Sequence, residues 1–268
     1  MPCDFVPNDT FASQMDNFTL VSGVNGGGKS TYLKQIGLIV VLAQIGSYVP
    51  AEEAFIPLRD MICTRIGTGD DFEHNISSFM LEMKEAAYIC ENVTPKSLVL
   101  IDELGRATSN EDGVAIAWAV AEHLLMSKAV TFFVTHYSGM YSLETLYENV
   151  RCMSFGRLVI EGGGEEGGED GGRPILVYDH NCIASSCKVE SHYGIDMAKV
   201  CGWQDGVVEK AKLIRRYIVD KIGGDGGMKI DVGRGKKEIQ AREKLAEITR
   251  SLALLVQGGR GELSLEVR

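Results

Sequence analysis

The sequence predicts an α/β fold whose central sheet is mostly parallel. Short apolar runs alternate along the chain with longer helix-like stretches, as strands and crossover helices do in parallel sheets. The runs at 97–103 and 130–134 are largely apolar without alternation, which is typical of strands buried on both faces. A glycine-rich segment at 23–28 joins the first apolar run to the first helix-like stretch and predicts a tight strand-to-helix turn.

Composition narrows the class of protein. The chain has 268 residues, of which 45% are hydrophobic, enough for one α/β domain with a small appendage. Its apolar stretches are too short for a membrane span and no secretory signal is seen, so we expect no membrane association. Seven cysteines without a CxxC pair predict reduced thiols of an intracellular protein. The net charge of −10 argues against strong nucleic-acid binding by this stretch alone, because phosphate contacts need a basic face.

The first elements follow a turn-rich lead-in. Within that lead-in, Phe5 either fills the core or stacks on a flat ligand, and the residues alone favour the core. An apolar run at 18–21 predicts the first strand. The stretch 32–44 is rich in Leu, Ile and Val and has no polar face, so we expect a helix that is buried on several sides. Gly46 and Pro50 are residues that end such a helix.

A second strand and a second helix come next. The strand is predicted at 62–66, and the helix runs from Ser77 or Ser78 to Ile89. A serine is favoured as an N-cap, and Glu82 lies in the first turn, where the helix dipole favours a carboxylate. The residues alone therefore favour an ordinary capped helix.

The remaining elements are predicted from the same kinds of pattern. They are a strand at 97–103, a helix at 112–126, a strand at 130–134, a hairpin of 150–161 and 174–178 around a mobile acidic insert at 162–172, and helices at 191–200, 205–222 and 236–256. The predicted units are a lead-in at 1–17, a main domain at 18–185, a helical segment at 186–222, and a flexible linker with a terminal helix at 223–268.

The glycine-rich turn fits the pattern of a phosphate-binding loop, which is Gly, any four residues, then Gly-Lys-Ser. Its glycines let successive N–H groups face one anion, and the following helix adds the positive end of its dipole. Lys29 would contact the β- and γ-phosphates of a nucleoside triphosphate, and the Ser30 hydroxyl would bind Mg²⁺. The predicted phosphate-binding residues are Gly23, Gly26, Gly27, Gly28, Lys29, Ser30 and Thr31. A chance glycine cluster is the alternative, and the strand before the loop and the helix after it disfavour it.

Polar residues follow the third and fourth predicted strands. Asp102 and Glu103 stand at the carboxyl end of the third strand, where parallel sheets bind ligands. Beside a phosphate loop, Asp102 would hold Mg²⁺ through a water, and Glu103 would orient or deprotonate the attacking water. His136 follows the fourth strand, and it is either a histidine at the edge of the core or a sensor of the γ-phosphate. Together with the other two motifs, the sensor is favoured.

Taken in order, these segments resemble the ATPase domain of the MutS family, the DNA mismatch-recognition clamps of the ABC ATPase group. The resemblance runs from about Phe5 to about Ile222. It is carried by G-V-N-G-G-G-K-S-T (23–31), A-Q-I-G-S-Y-V-P-A (43–51), T-R-I-G (64–67), S-S-F-M-L-E-M (77–83), D-E-L-G-R-A-T-S (102–109), T-H-Y (135–137) and Y-G-I (193–195). It implies a P-loop NTPase of the ABC type followed by a helical dimerisation segment. The family usually has glycine where Ala107 stands, so the loop after the acids would be stiffer.

The resemblance also implies roles for single residues. In this family two ATPase domains face each other, so Ser77 and Ser78 would contact the γ-phosphate bound by the partner. Phe5 would stack on adenine, which reverses the preference for the core. Asn25 and Gln44 would lie around the phosphates and the catalytic water.

The expected function is therefore an ATP- and Mg²⁺-dependent ATPase that drives a DNA clamp and works with a second subunit of the same family. The stretches 47–52 and 70–89 most resemble the eukaryotic meiotic members, which act in the nucleus on recombination intermediates as heterodimers. DNA would be held by N-terminal domains outside this chain. The alternatives are a mismatch-repair protein, a nucleotide-binding interaction module with little hydrolysis, and a phosphoryl-transfer kinase, which the acidic insert disfavours.

Overall fold

The structure is a computed structural model of the chain, and it describes residues 5–67, 78–160, 175–184 and 193–222. Ser77, the insert at 162–172, the linker from 223 and the helix predicted at 236–256 lie outside these ranges. Within them, no helix has the length and apolar character needed to cross a bilayer. The five cysteines in the described ranges are free thiols.

Six strands form one sheet. Their bounds are β1 Phe18–Gly23, β2 Ile62–Arg65, β3 Leu98–Asp102, β4 Val130–Val134, β5 Val150–Ile160 and β6 Ile175–Ala184. They lie in the order β2-β3-β4-β1-β5-β6, with β6 antiparallel to β5 and the other described neighbours parallel. The predicted α/β fold with a mostly parallel sheet is confirmed, and so is the hairpin, whose second strand continues to Ala184.

The helices connect these strands or follow the sheet. Their bounds are α1 Lys29–Gln44, α2 Ser78–Asn92, α3 Asn110–Ser127, α4 Leu143–Leu146, α5 Tyr193–Val200 and α6 Asp205–Ile222. Ser109 caps α3 by accepting a hydrogen bond from the Asp112 N–H at 3.2 Å. The single turn of α4 follows a 3₁₀ turn, and it is too short to leave an apolar period in the sequence.

The sheet lies between two helical layers because its strands alternate their side chains between two faces. In β3, Leu100 belongs to a buried cluster with Leu33 of α1. The next residue, Ile101, belongs to a second cluster with Ala86 of α2 and Ala117 of α3. The continuous apolar run of β3 therefore contributes to two cores, one on each face of the sheet. Burial of one such leucine or isoleucine contributes about 1.5–3 kcal/mol.

The prediction that the first helix is buried on several sides is wrong. Leu38 and Val41 of α1 are 62% and 44% exposed, although Leu33 and Ile36 are buried against the sheet. A helix that packs on one face of a sheet buries only the side that contacts the sheet. The other side of α1 is exposed although it is also apolar.

Candidate functional site

The carboxyl ends of three neighbouring strands lie level with one another. In the parallel register, Val134 of β4 is opposite both Val21 of β1 and Asp102 of β3. The segments that leave these strands therefore start at the same edge of the sheet. They are the glycine-rich loop, the turn that begins with Glu103, and Thr135-His136, so the three predicted motifs meet at one edge.

The glycine-rich loop needs glycine for its conformation and for its packing. Gly23 has φ +133°, and a Cβ there would be 2.7 Å from the carbonyl oxygen of Phe155 on β5. Gly28, directly before α1, has φ +112°. Residues other than glycine rarely adopt such backbone angles. The loop therefore turns sharply out of β1 and directs the first residues of α1 back to the edge of the sheet.

Lys29 is held inside this loop. Its side chain is 6% exposed, and Nζ donates hydrogen bonds to the carbonyl oxygens of Gly23 at 2.8 Å and Val24 at 3.0 Å. Nζ also lies 3.9 Å from Oε1 of Glu103. Burial lowers the pKa of Lys29, and the charges of Glu103 and Asp102 oppose that shift. The geometry fixes one ammonium at the end of the loop.

Ser30 and Asp102 are in direct contact across the site. The Ser30 hydroxyl donates to Oδ2 of Asp102 at 2.5 Å. Burial raises the pKa of Asp102, and the hydrogen bond from Ser30 opposes the shift. The hydroxyl of α1 and the carboxylate of β3 are thus on the same side of the sheet as Lys29.

Glu103 has a strained backbone and a paired side chain. Its φ is +52°, and its N–H donates to the carbonyl oxygen of Val134 at 3.0 Å. A non-glycine residue in this region costs of order 1–3 kcal/mol, and such residues often lie at functional sites. Oε2 accepts a hydrogen bond from Arg106 at 2.8 Å, and the Arg106 side chain is 57% exposed. Arg106 is not among the predicted site residues, although it lies within the D-E-L-G-R-A-T-S motif.

These groups line one cavity of about 890 Å³. Predicted site residues that line it are Phe5, Asn25, Gly26, Gly28, Lys29, Ser30, Thr31, Ser78, Asp102 and Glu103. Phe5 is 83% exposed, so the alternative that it fills the core is excluded. Ala107 also lines the cavity, while Gly23 and Gly27 belong to the loop without lining it.

Besides Gly23 and Gly27, two further predicted residues in the described ranges, Gln44 and His136, do not line the cavity. Gln44 is the last residue of α1. It lies 15 positions after Lys29, which is about 22 Å along the helix axis. Its Oε1 instead accepts a hydrogen bond from the Arg59 N–H at 2.5 Å, so the expected position of Gln44 beside the phosphates is corrected. His136 follows β4 without lining the cavity, and partial burial lowers its pKa while the nearby Glu103 raises it.

Two residues that contact the loop backbone, His180 and Tyr193, come from parts of the chain that the sequence patterns did not connect with the loop. His180 of β6 lines the cavity, and its Nδ1 is 3.2 Å from the carbonyl oxygen of Gly27. The Tyr193 hydroxyl, at the start of α5, donates to the carbonyl oxygen of Asn25 at 2.9 Å. These residues are more than 150 positions from the loop, and no local motif marks their contact.

The arrangement suits a polyanion that binds together with a divalent cation. The cavity is lined by glycines of the loop, one ammonium, a hydroxyl and two carboxylates, and also by the aromatic side chains of Phe5 and His180. Oxygen ligands are those that Mg²⁺ prefers.

Comparison with known proteins decides the family. The family profile described as MutS domain V matches residues 19–218. The chain belongs to the MutS family. The sequence-based resemblance is thereby confirmed.

Relatives in the family include both eukaryotic and bacterial proteins. The chain is 43% identical over 218 residues to DNA mismatch repair protein MSH4 of Arabidopsis thaliana, an alignment of 81% of this chain and 26% of that protein. It is 41% identical to MutS protein homolog 4 of Homo sapiens, over 81% of this chain and 22% of that protein. It is 42% identical to DNA mismatch repair protein MutS of Desulfitobacterium hafniense, over 78% and 23%. The chain thus spans about a quarter of the length of the curated relatives that it matches.

Proposed function

We propose that the chain binds ATP with Mg²⁺ and hydrolyses it as the P-loop, ABC-type ATPase domain of a MutS-type DNA clamp. The observation that carries the proposal is the meeting of four side chains at one cavity. Lys29 and Ser30 come from the glycine-rich loop and α1, and Asp102 and Glu103 come from the end of β3. Sites of this volume hold a ligand of nucleotide size.

Ser30 and Asp102 would hold the Mg²⁺ ion. They supply a hydroxyl and a carboxylate oxygen 2.5 Å apart. Among the described residues, no group of three or more His, Cys, Asp and Glu could hold a metal ion. Mg²⁺ typically takes one or two carboxylates with waters and substrate phosphates, so this donor set fits it. When bound, the ion neutralises charge on the β- and γ-phosphates.

The other side chains would bind and orient the reactants. Lys29 and the loop amides would hold the phosphates, and Phe5 and His180 offer aromatic surfaces for the base. Glu103 would orient or deprotonate the attacking water, since it lies 3.9 Å from the Lys29 ammonium and its carboxylate is held by Arg106. His136 would position the attacking water together with Glu103, whose negative charge raises the pKa of His136 against the effect of burial.

A second subunit of the family would complete the site. Ser77 and Ser78 at the start of α2 would contact the γ-phosphate bound by that subunit, and α5 and α6 would contribute to dimerisation. We propose that the partner is MutS homologue five. The pair would act on meiotic recombination intermediates, on chromosomes in the nucleus. The identities to the Arabidopsis and human proteins support this choice, and DNA would be bound by other parts of the longer protein.

Two alternatives have support of their own. The 42% identity to a bacterial MutS supports a mismatch-repair role, and preferential binding of the full-length protein to mismatched duplexes over four-way junctions would favour it. Ala107 lines the cavity where the family usually has glycine, which supports a nucleotide-binding module with little hydrolysis. Turnover by the chain with and without its partner separates that module from an ATPase.

The decisive experiment replaces the ammonium. Lys29→Ala should abolish detectable ATP binding and turnover, measured by calorimetry and phosphate release. Lys34→Ala is the matched control, because Lys34 is an exposed lysine on the same helix. ATP affinity and hydrolysis unchanged in Lys29→Ala would reject the site.

A further inference from the structure

Gly105 is held from two sides, through the peptide group that precedes it and the one that follows it. Its N–H donates to Oε1 of Glu82 at 3.0 Å, and its carbonyl oxygen accepts from the Tyr137 hydroxyl at 2.8 Å. Both hydrogen bonds are buried. Gly105 has φ +87°, and a Cβ there would be 2.7 Å from the carbonyl oxygen of Gly113. One residue of the turn is therefore fixed by α2, by the segment after β4 and by close packing on α3.

This residue lies between side chains that line the cavity. Glu103 is two residues before Gly105, and Arg106 directly follows it. The two side chains are paired at 2.8 Å. Because a shift of one residue in a short turn is transmitted to its neighbours, a displacement of Gly105 would also displace the turn that carries Glu103 and Arg106.

Glu82 is held in turn by a buried cation. Its side chain is 2% exposed, and Oε1 lies 3.6 Å from Nη2 of Arg65. Arg65 is the last residue of β2, and in the parallel register it is opposite Ile101, which directly precedes Asp102 and Glu103. Its Nε also forms an ion pair with Oε2 of Glu85 at 3.0 Å. The sequence predicts that Glu82 is a carboxylate stabilised by the dipole of α2. In the structure it is buried, and it contacts Arg65 and the Gly105 N–H.

The same helix presents Ser78 to the cavity. Ser78 and Glu82 are four residues apart, so they lie on one face of α2, and both line the cavity. The start of α2 and the turn of Glu103 are therefore joined by one hydrogen bond from Gly105 to Glu82.

We propose that Glu82 is a positioning residue for hydrolysis: by fixing Gly105 it holds Glu103 at the cavity and joins the start of α2 to that carboxylate. This inference rests on the proposed ATPase function. Glu82 acts through Gly105 and Glu103, so its loss should slow the chemical step without weakening nucleotide binding, which depends on Lys29, the loop, and Ser30 and Asp102 through Mg²⁺.

The test compares four variants of the full chain, assayed with the partner subunit if the chain alone turns over slowly. Glu82→Ala removes the acceptor for Gly105, while Glu82→Gln keeps an oxygen there. Glu85→Ala is the matched control, since it removes the other carboxylate of Arg65 and leaves Gly105 untouched. Tyr137→Phe removes the second hydrogen bond to the same residue, at its carbonyl oxygen. The readouts are kcat, the Kd for ATP, and amide hydrogen exchange of the segment 103–107.

In Glu82→Ala we expect kcat to fall about tenfold to a hundredfold, as it does when other catalytic groups are misplaced. The Kd for ATP should change less than about twofold, as expected for a residue that acts on the chemical step. Amide hydrogen exchange at 103–107 should be faster than in wild type. Glu82→Gln should restore most of kcat, and Glu85→Ala should behave as wild type. Tyr137→Phe should share the kcat defect in smaller degree, which keeps the idea testable if Glu82→Ala does not fold.

Three results would overturn the proposal: full turnover in Glu82→Ala, a parallel loss of binding and kcat, or an equal defect in Glu85→Ala. Failure of the ATPase proposal has a different signature, in which wild type and Lys29→Ala are alike in binding and turnover. Hydrogen exchange at 103–107 then still decides whether Glu82 holds the turn, and unchanged exchange in Glu82→Ala would reject that role.

Discussion

Gly23 is the residue at which a single added methyl group should do most damage to the loop. Its φ of +133° is unfavourable for alanine, at a cost of order 1–3 kcal/mol. The added Cβ would also be 2.7 Å from the carbonyl oxygen and 2.9 Å from the Cβ of Phe155. Overpacking against atoms that cannot move away typically costs a further 1–3 kcal/mol or so. We therefore expect Gly23→Ala to lower the free energy of unfolding by about 2–6 kcal/mol, a large part of the 5–15 kcal/mol typical of a domain.

The assay is urea unfolding followed by far-UV circular dichroism, with Gly46→Ala as the matched control. Gly46 also has a positive φ, +79°, but an added Cβ there meets nothing within 4 Å. That control should lose about 1–2 kcal/mol from backbone strain alone. Equal losses in the two variants would refute the argument, because they would show that the contact between the loop and β5 contributes nothing.

The remaining predictions concern Asp102 and Gln44. Burial raises the folded-state pKa of Asp102 above its ordinary 3.8, so its stabilising contribution is complete below that value and is lost as pH rises through the folded-state pKa. Asp102→Asn should therefore gain stability relative to wild type across that window, and it should weaken ATP binding in the presence of Mg²⁺ far more than in its absence. Unfolding curves from about pH 3 to pH 7 and calorimetry with and without Mg²⁺ measure the two effects, and a stability difference that does not change with pH would contradict the first. Gln44→Ala should leave the Kd for ATP and kcat within about twofold of wild type, since it lies about 22 Å along α1 from Lys29, and a tenfold loss of turnover would restore Gln44 to the site.

Much of the fold could be predicted because the patterns involved are local. The continuous apolar runs of β3 and β4 predict buried parallel strands, and the glycine-rich turn predicts how β1 joins α1. The site residues near these turns follow, because carboxyl ends of parallel strands meet at one edge. Lys29, Ser30, Asp102 and Glu103 lie together for that reason.

The misses have physical causes as well. Gln44 matched a family motif in sequence, yet the length of α1 separates its side chain from the loop. The apolar character of Phe5 alone favoured the core, and only the family resemblance predicted a position at the ligand, which agrees with its exposure at the cavity. The exposed apolar side of α1 shows that composition alone does not determine which side of a helix is buried.

The amino-acid sequence by itself predicted the six strands, the longer described helices, and the residues that form the phosphate-type loop and the acidic turn, since each depends on neighbours within a few positions. Only the tertiary structure decided that His180 and Tyr193 contact that loop and that Glu82 of α2 holds Gly105. These contacts join residues 23 to 168 positions apart. They arise from the packing of separate elements across the sheet, and no local pattern of residues encodes that packing.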